Sequence, residues 1–135
     1  EVMEETVGGW IGMAERGDYG GIMADMLEKL YSPAYVRRYG WLLPLLSRAG
    51  RPREFGRFIA LAKSCLGFDA YGELSGITCP ALVIGGALDR VVTGRASEEL
   101  AERLGCYLVL YPGLGHAAYE EAPDFNARVY RFLAD

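Results

Sequence analysis

Two side chains in the second half of the sequence, Asp89 and His116, are of the types that can move a proton together. His116 is the only histidine of the chain and follows Gly113 and Gly115 in the segment GLGHAAYEEAPDF. A carboxylate that accepts a hydrogen bond from Nδ1 fixes the imidazole tautomer and stabilises the imidazolium. Nε2 is then free to take a proton from a nucleophile and return it later, at a pH near neutrality.

The elements that must position this pair form a regular series. The apolar runs ALVI (81–84) and CYLVLY (106–111) predict two buried strands, and ASEELAERL (96–104) predicts an amphipathic helix between them. Ala122-Pro123-Asp124 predicts the start of a last helix. A strand–helix–strand unit of this length predicts parallel strands joined by a right-handed crossover.

This topology brings the two candidate residues to one edge of the sheet. Asp89 follows the first predicted strand, and His116 follows the second. Neighbouring strands lie about 4.8 Å apart, so the two loops should emerge side by side. Taken singly, Asp89 is an ordinary turn residue and His116 an ordinary loop residue. Their pairing across one unit is what indicates chemistry, at the edge where open α/β sheets bind ligands.

The first half, residues 1–76, predicts helices and turns. An apolar stripe from Ile22 to Leu30 predicts one helix, Ser32-Pro33 an N-cap with proline at the first helical position, and Arg51-Pro52 another helix that ends at Gly67. Its large apolar side chains predict either plain core packing or a pocket over the sheet. The candidates for a substrate pocket are Trp10, Met23, Met26, Tyr35, Trp41 and Phe58.

Composition narrows the classes of protein. The chain has 135 residues, 51% of them hydrophobic and 24% charged, with a net charge of −4, which indicates one globular domain without a basic patch for nucleic acid. No apolar run reaches membrane-spanning length, because WLLPLL is cut by Pro44. The three widely spaced cysteines favour buried free thiols and a reducing, cytoplasmic setting over disulfides or a metal site. No cofactor is predicted, because a G-x-G-x-x-G after a strand is missing.

Two segments resemble a known family. ITCPALVIGGALDRVV (77–92) and YPGLGHAAYEEAPDFNARVYRFL (111–133) are similar to the C-terminal part of the α/β-hydrolase superfamily. The resemblance implies an α/β fold: residues 77–135 as the C-terminal βαβα portion of an α/β-hydrolase sheet, preceded by a helical cap at 1–76. It also implies that Asp89 is the triad acid and His116 the triad base.

The nucleophile of that family has no counterpart in this sequence. The family places it in a G-x-S-x-G elbow, and none of the five serines has this context. Cys65, in the segment KSCLG, falls inside a helical stripe, which predicts buried packing. The resemblance therefore implies the half of a hydrolase that follows the nucleophile, and Glu1 in place of Met suits a truncated or cleaved product.

Two functions follow from this comparison. The first is the acid and base half of a serine hydrolase that acts on a small-molecule ester or related carbonyl substrate, inactive as the isolated chain. The alternative is a non-catalytic, hydrolase-like fragment that binds an apolar ligand or a partner chain. Half a sheet leaves an unpaired edge, so we also expect a homodimer or association with the missing N-terminal half.

Overall fold

The computed structural model describes residues 1–134 as a helical first half followed by a small parallel sheet with its helices. The predicted order of helices, then strand, helix, strand and helix, is confirmed. Within these residues, every helix is too short or too polar to span a membrane. The elements are α1 (Val2–Glu15), α2 (Tyr19–Leu30), α3 (Pro33–Tyr39), α4 (Leu43–Ala49), α5 (Gly56–Cys65), β1 (Leu82–Gly86), α6 (Gly94–Leu104), β2 (Tyr107–Tyr111), α7 (Ala118–Glu121) and α8 (Phe125–Ala134), with 3-10 turns at Gly40–Leu42 and Tyr71–Gly76.

The two strands pair in parallel, as predicted. Their register runs from Leu82 opposite Tyr107 to Gly86 opposite Tyr111, and α6 packs against both strands. β1 extends two residues beyond the predicted end, because Gly85 and Gly86 continue the ladder instead of turning away from it. The loops that carry Asp89 and His116 therefore leave adjacent strand ends.

The main apolar core joins the two halves of the chain. Val7, Trp10 and Ile11 of α1 and Ala62 of α5 are buried together with Val91, which lies in the loop after β1. Burial of such side chains is the main stabilising contribution to folding. The loop that carries Asp89 is thus anchored in the helical half.

The start of α5 differs from the sequence-based expectation. The helix begins at Gly56 rather than at residues 51–52, because Phe55 packs near Tyr19 with a backbone (φ −106°, ψ 1°) outside the helix.

The three cysteines also differ from the expectation. Cys65 is exposed at the end of α5, Cys79 is exposed before β1, and Cys106 is half-buried. The expectation of three buried cysteines is wrong, because none of the three lies on the buried face of an element.

Candidate active site

Asp89 and His116 meet at the carboxyl ends of the two strands. Nδ1 of His116 lies 2.8 Å from Oδ2 of Asp89. The Asp89 side chain is 7% exposed and the His116 side chain 38%, so the acid is sheltered and the imidazole faces outward. Since Nδ1 is engaged by the carboxylate, Nε2 is the atom that can exchange a proton with another molecule. The catalytic roles themselves stay a prediction.

The carboxylate of Asp89 is fixed from both sides. Its second oxygen, Oδ1, accepts hydrogen bonds from the backbone amides of Val91 (2.7 Å) and Val92 (3.0 Å). Aspartate commonly forms such turns, because its short side chain reaches the amide two residues further on. The Val91 side chain is itself buried in the helical core. The orientation of the acid therefore depends on packing in the first half of the chain.

The contact between Asp89 and His116 raises the pKa of the histidine and lowers the pKa of the aspartate. The hydrogen bond that His116 donates to Asp89 raises the pKa of His116 above its ordinary 6.5, although burial opposes this. Burial alone would raise the pKa of Asp89, but the hydrogen bonds from His116, Val91 and Val92 outweigh it and hold that pKa below 3.8. The histidine's contribution to stability is fully present below pH 6.5 and is lost as the pH rises through its raised pKa. The aspartate's contribution is present above pH 3.8 and is lost as the pH falls through its lowered pKa.

Backbone contacts hold the acid loop against the histidine loop. The amide of Ala87 donates to the carbonyl of Tyr111 (2.9 Å), and the amide of Leu88 donates to the carbonyl of Leu114 (2.9 Å). Gly86 permits this approach, because a Cβ atom at position 86 would overlap the carbonyl oxygens of Leu114 and Gly115. The distance between acid and base is therefore set by main-chain packing.

The histidine loop is also bound to residues 30–32, the connection between α2 and α3, which we call the α2–α3 joint. The amide of Ala117 donates to the carbonyl of Leu30 (2.8 Å). The amide and the hydroxyl of Ser32 both donate to the carboxylate of Glu121. Ser32 is the N-cap of α3, as predicted, but its partner lies 89 residues away, and no local sequence signal indicated that Glu121 would meet it.

A cleft of about 610 Å³ opens beside the acid loop. Residues 87–90 form one wall, and the opposite wall comes from α2, α3 and the joint. Arg90 and Glu28 face each other across it with a 2.8 Å ion pair between exposed side chains. The cleft gives a small molecule access to the neighbourhood of Asp89.

Three of the predicted pocket residues line a second, apolar cavity. Met23, Met26 and Tyr35 contribute to a space of about 250 Å³ between α2, α3 and α4. Tyr31 lines both this cavity and the cleft beside Asp89, so the two spaces adjoin at one side chain. The other lining residues are Leu27, Leu30, Tyr39, Leu42, Leu43 and Leu46.

The other three predicted pocket residues, Trp10, Trp41 and Phe58, lie outside this cavity. Trp10 is buried in the core with its Nε1–H donating to Asp25 (2.6 Å), and Phe58 packs against that core. Trp41 is 74% exposed, and its Nε1–H donates to the carbonyl of Arg38. Large apolar side chains look alike in a sequence, which does not distinguish a core stripe, a cavity wall and an open surface.

Comparison with solved structures relates this arrangement to known enzymes. The chain is similar to an α/β-hydrolase enzyme from a Medee basin deep-sea metagenome library, with a TM-score of 0.83 and 28% identity over 98% of this chain and 51% of that one. It is also similar to the enol-lactonase from Burkholderia xenovorans (TM-score 0.82, 22% identity, 98% of this chain and 51% of that one).

A third similar structure is that of an N-acyl homoserine lactone degrading enzyme (TM-score 0.66, 25% identity, 90% of this chain and 49% of that one). The chain thus spans about half the length of the solved structures that it matches. No protein-family model matches the chain, and no curated protein does.

Proposed function

We propose, since the chain belongs to the α/β-hydrolase superfamily, that it supplies the acid and the base of a hydrolytic site for an ester or related carbonyl substrate. Asp89 is the acid and His116 the base. The observation that carries the proposal is the 2.8 Å contact between a sheltered carboxylate and Nδ1 of an outward-facing imidazole. The likeness to a lactone degrading enzyme supports a carbonyl centre as the point of attack.

The proposed reaction uses the pair twice. Nε2 of His116 takes the proton of a nucleophilic hydroxyl supplied from outside this chain, and the oxygen attacks the substrate carbonyl to form a tetrahedral oxyanion. Collapse of that intermediate breaks the bond to the leaving oxygen, which receives the proton from Nε2. Water then attacks the acyl intermediate in the same way, which releases the acid and returns the hydroxyl proton. Asp89 stabilises the imidazolium in both halves of the cycle.

The isolated chain should not turn over p-nitrophenyl acetate. Without a nucleophile and oxyanion donors, His116 has nothing to activate, so we expect a rate no higher than that of free imidazole at the same concentration. The measurement is release of p-nitrophenolate by the chain alone and by a longer hydrolase that adds a nucleophile-bearing segment. A pre-steady-state burst from the chain alone, or no activity from the longer protein, would contradict the proposal.

A second candidate function, binding of an apolar ligand without catalysis, is favoured by the cavity between α2, α3 and α4. Leucine, methionine and tyrosine side chains form its wall, and none of its lining residues carries a charge. The cavity of about 250 Å³ is large enough for several methylene groups. This suits a straight aliphatic chain, either as a free ligand or as the acyl part of a substrate.

Straight-chain carboxylates should displace an apolar fluorescent probe from the chain with an affinity that rises with length. We expect about a fourfold gain per added methylene, since each buried CH₂ contributes about 0.8 kcal/mol, and a plateau once the cavity is filled. Leu43→Trp fills the cavity and should lower the affinity about tenfold or more. The control is Leu45→Trp on the same helix, because Leu45 is 65% exposed. Affinity independent of chain length, or an equal loss in both variants, would argue against this site.

A further inference from the structure

We infer that Glu121 is a positioning residue, which holds the α2–α3 joint against the segment that carries His116 and so keeps the imidazole on Asp89. Its importance for turnover rests on the proposed function. The geometric coupling does not, and for that reason the test below observes the imidazole directly.

Both carboxylate oxygens of Glu121 accept hydrogen bonds from the α2–α3 joint. Oε1 accepts from the amide of Ser32 at 2.9 Å, and Oε2 accepts from the hydroxyl of Ser32. Ser32 is only 3% exposed, so water competes weakly for these bonds. Hydrogen bonds to an ionised acceptor are about twice as strong as neutral ones. Two such bonds to one buried residue fix both the distance and the orientation between the joint and α7.

The serine hydroxyl passes this constraint on to α3. While it donates to Glu121, its oxygen accepts from the amide of Tyr35 at 3.2 Å and thereby caps the helix. Without Glu121, the hydroxyl loses its acceptor and the buried amide of Ser32 loses its partner. An unsatisfied buried donor costs free energy, so the joint would move toward water.

Movement of the joint would reach His116 through its two neighbours in the chain. The amide of Ala117 donates to the carbonyl of Leu30. On the other side, Gly115 lies so close that a Cβ atom there would come within 2.6 Å of that same carbonyl oxygen. The backbone of His116 is therefore held between two points of contact with the joint.

The neighbouring Glu120 has a lesser role. It accepts from the hydroxyl of Tyr31 at 2.7 Å, but both side chains reach solvent there, and exposed polar contacts contribute little. Burial of the phenol, and after it the bond to Glu120, raises the pKa of Tyr31, so Tyr31 stays a neutral donor. Glu120 steadies the same joint at its rim, while Glu121 fixes its buried part.

The test is an NMR titration of the imidazole in the full 135-residue chain, where His116 gives the only histidine signals. In Glu121→Ala, we expect the pKa of His116 to fall toward 6.5 and the Nδ1–H signal to be lost to exchange, because the imidazole leaves Asp89. Glu121→Gln should keep that signal, since an amide can accept from the Ser32 amide and donate to the Ser32 hydroxyl oxygen. Both variants remove one negative charge, so the difference between them reports position and not charge.

Asp124→Asn is the matched control. Asp124 lies close along the same segment and accepts from Tyr111 (2.8 Å) and Arg128 (2.6 Å), but it does not bond the joint. We expect the His116 titration to be unchanged in this variant. If Glu121→Ala does not fold, as judged by circular dichroism, Ser32→Ala removes only the hydroxyl bond and should give the same shift in smaller measure.

An unchanged titration in a folded Glu121→Ala, or equal shifts in Glu121→Ala and Glu121→Gln, would overturn the inference. If Glu121→Ala does not fold, an unchanged His116 titration in Ser32→Ala would also overturn the inference. The hydrolytic proposal is judged separately, by the ester hydrolysis of the isolated chain and of the longer hydrolase with and without His116. Positioning by Glu121 would stand even then.

Discussion

Replacement of His116 with alanine should lower kcat for p-nitrophenyl ester hydrolysis by about 10⁴-fold or more in a hydrolase that contains this chain. In the proposed reaction the imidazole takes the proton from the nucleophile and delivers it to the leaving oxygen, and alanine can do neither. The imidazole side chain is 38% exposed and its loss creates no buried cavity, so the folded state should survive the change. The measurement is kcat and KM at pH 8, with thermal unfolding as a check on the fold.

Asp89→Asn separates orientation from proton transfer. An amide of the same shape can donate to Nδ1, which would place the ring proton on Nε2 and block its action as a base. We expect a loss of roughly 10⁴-fold in kcat with little change in KM. Arg90→Ala on the same loop is the control, because within residues 1–134 the Arg90 side chain pairs with the exposed Glu28 across the cleft and not with Asp89 or His116. Full activity in the His116→Ala variant described above would refute the assignment of His116 as the base.

The contact between Asp89 and His116 was predictable because it depends on periodicity. Two apolar runs predicted strands, crossover length predicted parallel pairing, and the loops that follow the two strands were therefore expected at the same edge of the sheet. The error at the end of β1 did not disturb this, since Gly85 and Gly86 pair with Leu110 and Tyr111, the last residues of the second predicted strand.

The support of the site could not be predicted in the same way. The bonds between Ser32 and Glu121 join residues 89 positions apart, and each residue has an ordinary local role, as an N-cap and as a helical glutamate. The pocket shows the same difficulty. Met23 and Trp10 are both large apolar residues in the sequence. The packing of α1 on α5 buries Trp10 in the core, whereas Met23 lines a cavity.

Gly86→Ala should lower the free energy of unfolding of the 135-residue chain by about 3 kcal/mol, because the added methyl group meets main-chain atoms that cannot rotate away. The overlapping atoms are the carbonyl oxygens of Leu114 and Gly115, directly before His116. Relief requires the histidine loop to move away from β1, which would also lengthen the contact to Asp89. We therefore expect Tm to fall by on the order of 10 °C and the pKa of His116 to move toward 6.5.

Gly113→Ala tests whether this effect belongs to the position or to glycine in general. A Cβ atom at position 113 would meet no other group within 4 Å, and its backbone is not in the left-handed region, so a change within about 0.5 kcal/mol is expected. If both variants unfold alike, the loop needs flexibility more than close approach, and main-chain packing does not set the distance between acid and base. If only Gly86→Ala loses stability and lowers the pKa of His116 together, the same contact between two loops accounts for the fold at this edge and for the geometry of the pair.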